Sequence, residues 1–91
     1  MEQRQIEERY QEIRSLASNF VTIERAILYL MDFINDICQD ENKDELIDKC
    51  IVFKMRYSKG FDDVEQLCVL CNGVLSFTRN LINQYKGSDE S

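Results

Sequence analysis

The chain contains no histidine, no proline and no tryptophan, and only three glycines, at Gly60, Gly73 and Gly87. Each absence removes a class of structure or chemistry. Without His there is no imidazole to serve as general base, nucleophile activator or metal ligand, so Ser-His and Cys-His mechanisms are impossible within the chain. Without Pro, and with so little Gly, few positions interrupt a helix, and long helices are expected. Basic residues are the minority charge: 11 Lys and Arg stand against 17 Asp and Glu, a net charge of −6. Such a balance opposes binding to a phosphate backbone or an anionic membrane, so no nucleic-acid partner is expected. Long apolar runs are missing too. The richest, residues 26–38, is about half of what a bilayer crossing needs and contains Asp32, Asn35 and Asp36, so no membrane insertion is expected. The first residues, Met1-Glu2-Gln3-Arg4-Gln5, are polar and unlike the apolar core of a secretory signal. No Asn-x-Ser/Thr acceptor occurs, and Lys43-Asp44-Glu45-Leu46 spells a retention address that is read only at a C-terminus. The expected location is intracellular, in cytoplasm or nucleus.

What the sequence does contain is helical periodicity. With 44% hydrophobic and 31% charged residues in 91, the composition is that of a folded protein, and the length suits one domain over 1–91. Ile13, Leu16, Phe20, Ile23, Ile27, Leu30, Ile34 and Ile37 repeat at alternating spacings of three and four, the seam of a coiled coil. Ile6 and Tyr10 extend the stripe towards the N-terminus through more polar turns, which are expected to project. The pattern predicts one helix over about 2–39, roughly 55 Å long at 1.5 Å per residue. Ala17, Ala26, Leu28, Met31, Phe33 and Cys38 widen its apolar face beyond a two-stranded seam, so more than one helix must cover it.

A polar stretch, 39–44, implies a turn, with Asp44 as the N-cap of a second helix over about 45–58 and Lys59-Gly60 as its left-handed stop. Ile51, Phe53, Met55 and Tyr57 also alternate as in a strand, but a lone strand has no partner, and helix is the better reading. A third helix over about 63–86 opens with Asp62 as cap, Glu65 three positions on and Phe61 before it as a staple. Its stripe of Val64, Leu67, Cys71, Val74, Thr78, Leu81 and Tyr85 keeps phase across Asn72-Gly73, which argues for continuity. Gly87 is expected to end it, leaving 87–91 as a loose tail. The fold class expected is all-α: a long N-terminal helix with two shorter ones in an antiparallel bundle or coiled-coil-like hairpin.

No motif carries catalysis. The carboxylates fall in turns and at helix starts, where capping and solvation account for them, and there is no glycine-rich phosphate loop. Neither an enzyme nor a small-molecule substrate is expected. Asp40-x-Asn42-x-Asp44 opens like a calcium loop, but Glu45 stands where the turn needs Gly and Ile51 where a bidentate Glu belongs. Cys38, Cys50, Cys68 and Cys71 are the only residues that could build a metal site, and Cys68 and Cys71 have ligand-like spacing. Zinc sites usually draw paired Cys from turns, whereas these lie in apolar helix patterns, so reduced core thiols are the better reading and no cofactor is expected. The run from Phe53 to Phe61 interleaves Lys54, Arg56 and Lys59 with aromatics, and reads as a helix with rings inward and charges in water.

These features together suggest a non-catalytic protein-protein interaction or assembly module, a small helical subunit or adaptor. Its expected partner is a protein, either a second copy or a helical subunit. The expected seam is Ile6, Tyr10, Ile13, Leu16, Phe20, Ile23, Ile27, Leu30, Ile34 and Ile37. Two alternatives remain open: a zinc-stabilised domain built on the four cysteines, and a small acidic inhibitor or effector.

Overall fold

A computed structural model describes residues 2–90, with side chains as far as residue 84. The described chain is all-helical and contains no strand: α1 (Gln3–Ala17), α2 (Ile23–Ile37), α3 (Asn42–Ser58) and α4 (Val64–Glu90). The bundle therefore has four helices where the sequence pattern predicts three. An unbroken helix over 2–39 would need about 57 Å, longer than the 44 Å long axis of the molecule.

The break lies at residues 18–22, and short polar side chains make it. Ser18 Oγ donates to the Arg14 carbonyl at 2.8 Å, and Thr22 Oγ1 to the Leu16 carbonyl at 2.7 Å. Asn19 Oδ1 accepts the Val21 N–H at 2.9 Å. These groups offer the backbone a turn in place of the helical ladder. The turn returns the chain so that α1 and α2 form an antiparallel hairpin. Arg9 meets Asp36 at 2.8 Å, 27 residues on, and its guanidinium lies 5.3 Å from the centre of the Phe33 ring. The first turns of the chain, expected to project, are thus packed, with Ile6 buried.

The remaining helix ends follow local polar chemistry. Asp40 Oδ1 accepts the Asn42 N–H at 2.9 Å, so α3 starts before Asp44, the expected cap, which falls inside the first turn. Gly60 takes φ 81° after α3 has ended at Ser58, a conformation that glycine adopts without a Cβ penalty. At the start of α4 the cap is Asp63 in place of the expected Asp62: Asp63 Oδ1 accepts the Gln66 N–H at 2.9 Å, and Gln66 Oε1 accepts the Asp62 N–H at 3.2 Å. The backbone of α4 continues through Gly87 to Glu90, so the tail expected at 87–91 is helical as far as it is described. Glycine permits a left-handed stop without requiring one, and no proline follows to enforce it.

Buried side chains from all four helices form one core, led by Ile13, Ile23, Ile27, Leu30, Phe33, Ile34, Leu70 and Val74. α2 packs against each of the others, α4 lies against all three, and α1 does not touch α3. Among the described residues the one buried polar side chain, Thr78, donates its hydroxyl to the Val74 carbonyl at 2.8 Å. No described buried side-chain polar atom is left without a partner.

α4 is continuous through Gly73, where the Phe53 ring lies close: a Cβ built there would stand 3.4 Å from Phe53 Cε1. That is ordinary contact, so Gly73→Ala keeps the ring in place while removing the entropic cost of a mid-helix glycine. Its expected effect is a gain of about 0.5–1 kcal/mol, read as a higher urea midpoint at unchanged slope. A lower midpoint would mean that the Phe53 contact has no slack.

Candidate interaction surface

Most of the expected seam lies inside the molecule. Ile6, Ile13, Ile23, Ile27, Leu30 and Ile34 are buried in the chain's own bundle, and Tyr10, Leu16 and Ile37 are half-buried against it. Phe20 alone is exposed, at the turn between α1 and α2. The row is therefore the core of this fold, with α1, α3 and α4 supplying the surfaces that cover its α2 half.

Three of the four cysteines belong to the same core. Cys38, Cys50 and Cys71 are buried, Cys68 is half-buried, and all four are free thiols. Burial pushes the Cys50 thiol up to about 12. Burial raises that of Cys71 too, helped by the neighbouring Cys68. A raised pKa disfavours the thiolate that a metal or an electrophile requires. Cys38 Sγ lies 3.1 Å from Asp40 Oδ1, the same oxygen that accepts the Asn42 N–H, so this pair ties the end of α2 to the start of α3. Among the described residues no three His, Cys, Asp or Glu side chains are gathered closely enough to hold a metal ion. Asp40 and Asp44, which have the spacing of a calcium loop's opening, lie at the entry to α3, Asp40 accepting the Asn42 N–H just before the helix and Asp44 in its first turn. No helix among the described residues is long and apolar enough to cross a membrane.

What the fold leaves uncovered is α3. It buries one side chain fully, Cys50, where α2 buries six. Leu46, Ile47, Phe53 and Tyr57 are half-buried and share its inward side with Cys50; the Phe53 and Phe77 rings meet edge to face at 5.9 Å. On the outward side, Val52 and Met55 are more than half exposed, at 55% and 56%, and Ile51 is 40% exposed beside them. Ile51, Lys54, Met55, Ser58 and Lys59 line a shallow hollow of about 360 Å³. Lys54, Arg56 and Lys59 are in water, while Phe53 and Tyr57 turn inward.

A second exposed apolar group lies at the α1–α2 turn, where Val21 and Leu28 flank a hollow of about 290 Å³ with Thr22, Glu24 and Arg25. Leu28, counted in the widened apolar face of the first helix, and Ile51, which fits the apolar face expected of the second, are exposed at 41% and 40%, while Val21, Val52 and Met55 lie off the expected stripes. The available signal for α3 was its mixed pattern: apolar residues at 51, 52, 53 and 55 occupy more of the helix circumference than one buried face can use. No family model matches this chain, and no curated protein or solved structure matches it either.

Proposed function

We propose that this protein is a non-catalytic protein-protein interaction module, a small helical subunit or adaptor, and that it binds through the outward face of α3. The observation that carries this reading is the exposed group Ile51, Val52 and Met55 on the least buried helix of the bundle. Single exposed apolar side chains are common on protein surfaces, but adjacent ones on one helix face, rimmed by charge, mark contact sites. Covering them in a partner's groove releases ordered water at roughly 25 cal/mol per Å² of apolar area, while the flanking charges select partner and register. The row from Ile6 to Ile37 then serves to build the scaffold that holds α3 in place. Cytoplasm or nucleus is the location proposed with this role.

Site-specific cross-linking tests the reading. A photoreactive phenylalanine analogue in place of Val52 is expected to give a discrete covalent protein adduct in the cell that makes this chain. The same analogue at Gln3, exposed on α1, is expected to give none. The Val52 adduct should vanish when Ile51 and Met55 are both replaced by Asp, with helicity unchanged because both side chains lie outside the core. Absence of an adduct at Val52, or identical adducts at Val52 and Gln3, would refute the proposal.

A further inference from the structure

The outward face of α3 is graded in charge along its length. At about 100° per residue, Glu45, Asp48, Val52, Met55 and Lys59 fall on one stripe opposite buried Cys50, with Ile51 and Arg56 alongside; all seven are exposed. The stripe repeats at spacings of three and four, as a helix-pairing seam does. Its first half carries carboxylates, its middle is apolar, and its last turns carry cations. Among the described residues, none of Glu45, Asp48, Arg56 and Lys59 forms an ion pair or a side-chain hydrogen bond.

This order is complementary to itself when reversed. A two-fold axis perpendicular to the helix and passing just outside it beside Val52 sets α3 antiparallel to α3 of a second copy and brings residues whose numbers sum to about 104 side by side. Val52 then meets Val52, with Ile51 and Met55 around it, Glu45 meets Lys59, and Asp48 meets Arg56. Because the operation is two-fold, each charge pair occurs twice. A parallel pairing would instead set carboxylate against carboxylate and cation against cation. An anionic membrane would attract the last turns of α3 and repel the first, so the grading favours a protein helix of reversed polarity over lipid.

We infer that α3 is a homodimerisation surface, pairing antiparallel with α3 of a second copy around Val52. This rests on the reading of α3 as a contact face and names its occupant. One helix pair with a small apolar centre makes a limited interface, so the dimer is expected to be reversible, with a dissociation constant on the order of micromolar.

The test is a charge swap on the full chain, read by sedimentation equilibrium. Wild type is expected to show a concentration-dependent monomer–dimer equilibrium. E45K and K59E each place two like-charge contacts at the interface and should each weaken dimerisation at least about tenfold. Mixed in equal amounts, E45K and K59E should pair with each other, since every contact then joins opposite charges. The double variant E45K/K59E should self-associate as wild type does. Wild type that stays monomeric at all concentrations would overturn the inference, as would single variants that dimerise like wild type or a mixture that does not recover. A monomeric wild type that still gives a Val52 adduct with a different protein would remove this inference alone and leave the interaction module standing. Binding of wild type to phosphatidylserine vesicles, lost in K59E, in place of dimerisation would also overturn it.

Discussion

Replacing Phe33 with Ala lowers the unfolding free energy by about 3–5 kcal/mol, the cost of deleting a large ring from a packed core and leaving the cavity partly unfilled. Phe33 is fully buried in α2, the helix that packs against every other, and the Arg9 guanidinium sits 5.3 Å from the centre of its ring. The substitution therefore removes apolar burial, helix-helix contact and a cation–π partner together. Small domains hold about 5–15 kcal/mol in total, so much of the margin disappears. Urea titration of both proteins measures the effect. A loss below about 1 kcal/mol would mean that the bundle does not close around Phe33, and with it that the α1–α2 hairpin is misplaced.

Raising the pH above 9 weakens the fold, and the buried thiols contribute to the dependence, Cys50 together with Cys71. In the unfolded chain the Cys50 thiol ionises near the ordinary value of 9.0, whereas burial in the bundle pushes it up to about 12. Between these values the unfolded chain binds fewer protons than the folded one, so stability falls as pH rises. The stabilisation is complete below pH 9 and is lost progressively towards about 12. One proton sets an upper limit of about 1.4 kcal/mol per pH unit on the slope. Urea midpoints across this range, compared between wild type and Cys50→Ala, isolate the term. The variant loses some packing at every pH but should show a flatter alkaline limb. Equal limbs in the two proteins would show that the Cys50 thiolate forms in the folded state at little cost.

The same burial keeps the cysteines apart: among the described residues they are not gathered into a ligand cluster. Their spacing in sequence brings Cys68 and Cys71 within a turn of each other, but Cys38, Cys50 and Cys71 are buried in the apolar core while Cys68 is only half-buried, and Cys38 is held against Asp40 at 3.1 Å. The apolar residues that α3 leaves exposed include ones that periodicity passed over. Val52 and Met55 lie outside any buried stripe, and their grouping with Glu45, Asp48 and Lys59 becomes visible only once Cys50 is known to face inward.

The sequence by itself determined that the chain is helical, that the stripe from Ile23 to Ile37 within the helix expected over 2–39 is an apolar helix face, and that α3 stops near Gly60. These follow from local causes: spacing repeats every three or four residues, proline is absent, and glycine alone takes a positive φ without a Cβ penalty. Only the tertiary structure decided that the helix expected over 2–39 folds in two and that its seam is covered from within. The apolar phase runs unchanged from Leu16 through Phe20 to Ile23, and the polar bonds of Ser18, Asn19 and Thr22 each contribute little alone. A periodic stripe states that a face will be buried but carries no information on what buries it. That choice belongs to the surfaces α1, α3 and α4 present to α2, which exist only when distant parts of the chain meet.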